Sequence, residues 1–350
     1  MILGIESSCD ESAVALLRND GQILGEWINS QINKHADYGG VVPDIAVTEH
    51  LENFFPLLDL ARKEIQTFES IGKIAVTCGP GLVGCLGIGI SIAKALSMET
   101  GIPVYGVNHL RGHAFSPFMS LGCINDLDFS SFLPHVGLLV SGGNTLLFKI
   151  DRDLFIKVIA VTVDDAVGEA LDKGAKLLGI SYPGGADLEK YALQGDEQAF
   201  DFPKFNGSKD DLRFSFSGLK TSLLYRLKKM SENEIESNFS NLCASYQKAA
   251  IDQLTKMTKT VILSTGCKSL GLSGGVANNK KLRNELFDIC EAMNVIYLPV
   301  ESKHSGDNAA MIAFSAAFDA KGLWDNKSHG LTFKPNLQIQ EMQNKNHAAS

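Results

Sequence analysis

The sequence predicts a duplicated α/β protein, two α/β domains that face one another across a ligand cleft. Three observations carry that prediction. The 350 residues suit two domains of ordinary size. A run of three strand-like segments occurs twice, first as ILGIES, SAVALLR and QILGEWI, then as HVGLLVSGG, TLLFKI and FIKVIAVT. After each run, helical and extended patterns alternate, as a layered sheet with covering helices requires.

In chain order, the first three strands are followed by a helical pattern from Asp44 to Glu69, with Ile45, Leu51, Phe54, Leu57, Leu58 and Leu60 at three-and-four spacing. A strand (KIAVTC), a helix (Ile88 to Met98), a strand (PVYGV) and a helix opening near His109 complete the first half. The second meander leads into helical segments at Gly168–Leu178, Asp187–Leu193, Leu219–Lys229 and Glu234–Leu263. A strand (SLGLS), a helix (Asn279–Met293), a strand (VIYLP) and a helix (Asp307–Asp319) end the pattern. The domains read as 1–130 and 131–305, with 306–322 a terminal helix returning to the first domain and 323–350 a polar, peripheral tail.

Composition narrows the class. Hydrophobic residues are 45% and charged residues 21%, the balance of a soluble globular protein. MILGIESSCDES lacks the basic start of a signal peptide. The longest apolar stretch, Gly81 to Met98, is glycine-rich and interrupted by Lys94, so it reads as a core helix and not a membrane span. Seven scattered cysteines read as reduced thiols in a cytoplasmic protein. The net charge of −8 argues against general nucleic-acid binding. Lys204 to Lys229 departs from it: seven cations against two acids give a local +5, interleaved with Phe205, Phe214, Phe216 and Tyr225. Such a segment suits phosphate contact and base stacking, or equally a solvated helix face beside a core cluster.

Three motifs carry candidate chemistry. In NHLRGHAF, His109 and His113 are four apart and share a helix face, where they can hold one metal ion. The glutamate of the HExxH protease motif is absent, and with it the general base of peptide hydrolysis. HSGDNAAMIAF offers Asp307 as a third ligand, with His304 three residues earlier. Histidines at this spacing also occur in helices without any metal.

Two glycine loops come next. LVSGGNT (Leu139–Thr145) and GLSGGVANN (Gly271–Asn279) leave backbone amides open for a phosphate. A lone SGG also serves as an ordinary tight hairpin. The opening ESSCDES crowds Glu6, Ser7, Ser8, Asp10 and Glu11, residues that turns also favour. Further on, Glu169, Asp172, Lys173 and Lys176 share a helix, where Asp172 and Lys176 have the spacing of a surface ion pair. Pro183-Gly184-Gly185 then turns the chain toward Glu189.

Together GIESSCDES, HADYGGVVPDIA, GPGLVG, HLRGH, LVSGGNT, DDAVGEALDK, YPGGADLEK, FSFSGLKT, GGVANN and DNAAMIA resemble the TsaD family across residues 1–320. The resemblance implies the actin and sugar-kinase fold class, in agreement with the duplicated plan. It implies transfer of a threonylcarbamoyl group from threonylcarbamoyl-AMP to the exocyclic amine of the adenosine 3′ of the anticodon, in tRNAs reading codons that begin with A. It makes His109, His113 and Asp307 the ligands of one divalent ion per subunit, Fe2+ or Zn2+. The adenylate falls to Leu139, Val140, Ser141, Gly142, Gly143, Asp172, Gly185, Glu189 and Asn279, and the catalytic acids to Asp10 and Glu11. Implied partners are tRNA, a TsaB-like paralogue and a TsaE-like ATPase, with a TsaC-like enzyme supplying the adenylate and no membrane. The sequence departs from the common bacterial pattern at Asn144, Ala277, Asn278 and Lys280.

Overall fold

The computed structural model describes residues 1–65, 70–122, 128–204, 212–325 and 330–341. The chain forms two compact units, residues 1–128 with 303–350, and residues 129–302.

The first unit opens with β1 (Ile2–Glu6), β2 (Glu11–Leu17) and β3 (Ile23–Ser30), an antiparallel meander. A short helix α1 (Ile32–Ala36) and the long α2 (Pro43–Glu64) lead to β4 (Lys73–Gly79), which lies parallel to β1. Helix α3 (Val83–Thr100) and β5 (Val104–Asn108), parallel to β4, then deliver the chain to α4 (His109–Phe115). Every residue of β1 is buried, as the central strand of a covered sheet requires. Four of the five are aliphatic or glycine. The fifth, Glu6, is the exception that marks the site.

The second unit repeats this plan. β6 (His135–Val140), β7 (Thr145–Ile150) and β8 (Ile156–Thr162) form a meander, followed by α5 (Val167–Leu177) and α6 (Gly185–Ala192). The two-residue edge strand β9 (Arg213–Phe214) precedes α7 (Ser217–Leu227), α8 (Glu232–Ser237) and α9 (Phe239–Thr265). β10 (Ser269–Ser273) lies parallel to β6, and after α10 (Lys280–Ala292) β11 (Ile296–Pro299) lies parallel to β10. The chain then re-enters the first unit as α11 (Ala309–Phe318) and β12 (Trp324–Asp325). The sheet orders are β12-β5-β4-β1-β2-β3 and β11-β10-β6-β7-β8-β9. Each meander is therefore extended on the same side by two parallel strands.

Helix α11 is apolar apart from Ser315 and rests on β1 and β2, where Ala13, Ala15, Ala309 and Ala310 form a tight seam. A Cβ at Gly4 would lie 2.4 Å from the Ala309 carbonyl, so glycine sets this close approach.

Several sequence expectations are corrected. The pattern over Glu234–Leu263 is two helices: α8, opened by a Ser231–Glu234 capping box, ends before Asn238, and α9 follows. On α2, Leu51 and Leu60 face solvent, and the buried stripe is Ala46, Glu49, His50, Phe54, Leu57 and Ala61. Two of those positions are polar, which hid the stripe from a hydrophobicity count. Within the tail, residues 330–341 are not peripheral either. Leu331, Leu337 and Ile339 are at most 5% exposed, because three apolar side chains suffice to dock an otherwise polar segment. Helix α3 is long and apolar enough by composition to cross a membrane, but Cys85, Leu86, Ile90 and Ala93 on one face are buried in the protein.

Candidate functional site

Helix α4 begins where β5 ends. Asn108 caps it by accepting from the amides of Leu110 and Arg111, which fixes His109 in the first turn. His109 and His113 stand one turn apart with ring centroids 4.8 Å apart. Asp307 lies two residues before α11, which Asn308 caps through the Met311 amide, so it belongs to the loop and not to the helix predicted to begin there. Its Oδ1 is 2.9 Å from His113 Nε2 and 3.4 Å from His109 Nε2. One donor atom from each of the three residues falls within 4.8 Å of the others.

The opposite edge of His109 decides how this cluster reads. Nδ1 is 3.1 Å from Glu6 Oε2 and 3.2 Å from Ser8 Oγ. Glu6 is fully buried, and its carboxylate also accepts from the Ser8 amide at 2.6 Å and Thr77 Oγ1 at 2.5 Å. A carboxylate only accepts, so Nδ1 carries hydrogen and Nε2 is turned toward Asp307. Such outer carboxylates orient metal-ligating imidazoles. Two imidazole Nε2 atoms and a carboxylate oxygen fit a divalent ion of the zinc or ferrous type, with coordination positions left for a ligand.

The charges agree with that arrangement. Burial alone would lower the His109 pKa, but the carboxylates of Asp307 and Glu6 outweigh it and hold the imidazole well above its ordinary value. Against burial, His109 and His113 keep Asp307 well below the usual carboxylate range, and His109 lowers Glu6. Asp10 and Glu11 sit at the β1–β2 hairpin. Burial, then the charges of Asp307 and Asp10, push Glu11 up to about 10, while Ser30 Oγ donates to it at 3.2 Å. His50 braces the hairpin, with Ser12 Oγ 2.7 Å from Nδ1 and the Cys9 carbonyl 3.0 Å from Nε2.

In the second unit, Leu139 and Val140 are fully buried strand residues, so only the loop after them is open. Ser141 Oγ accepts from the Asn144 amide at 3.0 Å and closes the hairpin. A Cβ added at Gly142, Gly143 or Gly275 meets no atom within 4 Å. Gly274 differs: its φ is +89°, and its Cβ would lie 2.2 Å from the Val140 carbonyl. Gly274 thus serves the fold, and the other three leave space.

Asp172 makes no ion pair with Lys176 among the described residues. It accepts from the amides of Gly184 and Gly185 at 3.0 and 2.8 Å, which locks the turn before α6, and Lys173 takes the ion pairs, with Asp165 and Glu169. Glu189 Oε1 accepts from the Lys280 amide at 2.7 Å, at the start of α10. Asn279, 7% exposed, caps α10 through the Leu282 amide and donates to Gln247 Oε1 at 3.1 Å. Burial raises the pKa of both Asp172 and Glu189. Within each unit, then, turns and caps fix the predicted residues locally, and long-range contacts such as His113 with Asp307 and Glu189 with the Lys280 amide bring them together. Sequence reasoning grouped Glu6 with the turn acids and missed Thr77 and Gln247. For Glu6, an acid ending an otherwise apolar strand was the available signal.

Residues 22–314 match the family described as TsaD, tRNA N6-adenosine threonylcarbamoyltransferase. The chain belongs to the TsaD family. A curated relative of that name from Thermosipho africanus (strain TCF52B) is 40% identical over 344 residues, covering 97% of this chain and 100% of the relative. Another, from Geotalea daltonii, is 42% identical over 315 residues, 89% and 90% of the two chains. Among solved structures, the activator of the 2-hydroxyisocaproyl-CoA dehydratase from Clostridium difficile with bound ADPNP aligns with a TM-score of 0.51 at 15% identity, over 91% of this chain and 96% of that one. HypF of T. kodakarensis aligns at 0.57 with 16% identity, over 92% of this chain and 48% of that one. At such identities the likeness is one of fold, and it places this TsaD-family chain in the actin-like α/β class.

Proposed function

We propose that this chain transfers the threonylcarbamoyl group from threonylcarbamoyl-AMP to N6 of the adenosine 3′ of the anticodon, in tRNAs that read codons beginning with A. The observation that carries the proposal is the near-full-length match to relatives bearing that activity in their name. The His109–His113–Asp307 cluster and the open glycine positions support it.

His109, His113 and Asp307 would hold one divalent ion, Fe2+ or Zn2+. Bound there, the ion supplies Lewis-acid stabilisation for oxygen atoms of the donor. Glu6 keeps the His109 Nδ1 proton and so presents Nε2. Ser141 to Gly143 and Gly275 receive the nucleotide on open backbone, with Asp172, Gly185, Glu189 and Asn279 holding the surrounding turns. The adenine amine is a weak nucleophile, so positioning against the carbamoyl carbon supplies much of the acceleration. Asp10 or Glu11, side by side at the hairpin, would accept the amine proton. The chain works in the cytoplasm with a TsaB-like paralogue and a TsaE-like ATPase, on adenylate made by a TsaC-like enzyme.

The test is nucleoside mass spectrometry of tRNA incubated with preformed threonylcarbamoyl-AMP, this chain and its partner subunits. The modified adenosine should appear and should vanish with Asp307→Ala. Metal-dependent peptide cleavage without tRNA modification under the same conditions would overturn the reading.

A further inference from the structure

The ligand-bearing helix α4 is seven residues long, too short to hold its own geometry in water. Its tertiary anchors therefore matter, and two of them are Asn108 and Arg111 of the same motif. Among the described residues Arg111 is the largest fully buried side chain, 1% exposed, and it lies between the two histidines in sequence. Its Nε pairs with Asp319 at the end of α11, and Nη1 donates to the Ile339 carbonyl at 3.2 Å. Asn108 caps α4 with its oxygen and donates through Nδ2 to the Gln338 carbonyl at 2.8 Å. Both anchors thus end on consecutive carbonyls of the C-terminal segment.

That segment is itself held by the site's own strands. The Lys334 amide donates to the Cys78 carbonyl at 2.7 Å, and the Gly81 amide donates to the Pro335 carbonyl at 3.1 Å. Leu331 and Leu337 fill the core beneath β4 and β5, and Ile339 is 2% exposed. The neighbouring glycines leave the room required: a Cβ at Gly79 would lie 2.0 Å from the Lys334 carbonyl, and one at Gly322 would strike Asp319 and the Arg111 Nε.

We infer that residues 330–341 are a working part of the metal centre, positioning α4 through Asn108 and Arg111 so that ion binding and docking of the segment stabilise one another. Arg111 is a positioning residue: it acts through the helix and not on the ion. Linkage makes the effect reciprocal, so whatever the docked segment contributes to ion affinity, the ion returns as protection of the segment.

This inference rests on the metal reading of His109, His113 and Asp307, and the experiment separates the two. Hydrogen exchange of the full wild-type chain is followed with and without saturating Zn2+, reading the peptide that spans 331–341. Zn2+ should slow its exchange about tenfold, within the usual range of coupling between sites, and His109→Ala/His113→Ala should abolish the slowing. Arg111→Lys keeps a cation beside Asp319 but loses the planar fork that also reaches Ile339. It should weaken Zn2+ about tenfold by the same coupling, with far-UV circular dichroism unchanged. A wild-type chain that binds Zn2+ without protecting 331–341 overturns the inference, whether or not the variant folds. A folded Arg111→Lys chain with wild-type Zn2+ affinity overturns it too. A wild-type chain that binds no Zn2+ overturns the metal reading and this inference with it.

Discussion

Zinc affinity should rise with pH between pH 6 and pH 8, by up to about tenfold per unit, because the ion must displace a proton from His109, at ~1.4 kcal/mol per unit. The magnitude follows from the geometry. His109 Nδ1 donates toward Glu6 and Nε2 faces Asp307 at 3.4 Å, so both ring nitrogens meet a carboxylate. Those two carboxylates hold its pKa well above the ordinary 6.5, so the ion-free protein keeps this proton to higher pH than a free imidazole does. A group with a raised folded pKa contributes stability that is full below its unfolded value and is lost as pH rises through the folded one. Alkali therefore removes a stabilising interaction from the ion-free site and bares Nε2 for the ion, and both effects favour binding. Asp307 has the opposite sign. Its depressed pKa contributes stability above its ordinary 3.8, lost only as pH falls through the lower folded value, so it stays charged across the whole range assayed.

Chelator competition at pH 6, 7 and 8 measures the affinity, and calorimetry in buffers of different ionisation heat counts the proton released. Across the two units the affinity should rise by up to about a hundredfold, ~2.7 kcal/mol. Glu6→Gln removes one of the two carboxylates, so it should flatten the slope and weaken Zn2+ about 10–100-fold at pH 8, as loss of an outer carboxylate does elsewhere. An affinity independent of pH from 6 to 8, with no proton released, would refute the reasoning.

Gly143→Val and Gly275→Val should each weaken AMP binding more than tenfold, ~1.4 kcal/mol, while leaving the melting temperature unchanged, since nothing lies within 4 Å of the added Cβ. Calorimetry showing unchanged AMP affinity in both would exclude the loops as the phosphate cradle. Gly274→Val, forced to φ +89° against the Val140 carbonyl, should instead lower the melting temperature. Asp10→Ala should slow transfer to tRNA more than it weakens adenylate binding, and equal losses in both would remove it as proton acceptor. Tyr225 on α7 is 60% exposed and Lys228 and Lys229 are exposed in the turn that follows the helix, so Lys228→Glu/Lys229→Glu should weaken tRNA binding and flatten its salt dependence. An unchanged salt slope would place the RNA surface elsewhere; residues 205–211 of that basic segment lie outside the described residues.

The strand plan was legible because the two meanders are apolar runs bounded by turn residues, and strand periodicity needs only local sequence. His109 and His113 were legible for the same reason, one turn apart on one helix. What local sequence could not supply was partnership at long range. Glu6 is 103 residues from His109 and bonds it from another element. Spacing alone also allows an Asp172–Lys176 ion pair, but the carboxylate instead accepts from the Gly184 and Gly185 amides, two aligned donors in a tight turn. The tail was misread because its burial rests on three side chains and on backbone bonds that composition does not record.

The duplication explains why the chemistry divides as it does. Four-residue loops close both hairpins at matching places, Ser7–Asp10 between β1 and β2 and Ser141–Asn144 between β6 and β7. One carries hydroxyls, a thiol and an acid, the other a serine and two glycines with open space around them. The residues of the candidate metal cluster come from matching places as well: His109 opens the helix after β5, and Asp307 stands just before the helix after β11. In each repeat that helix follows the outer of the two added parallel strands, where amides at a helix start and loop carbonyls turn polar groups out of the sheet. The second such helix belongs to the first unit, and its seam of alanines on β1 and β2 brings Asp307 to His109 and His113. A bulkier residue at Gly4 would push α11 away from β1 and separate the carboxylate from both imidazoles, although Gly4 touches none of the three.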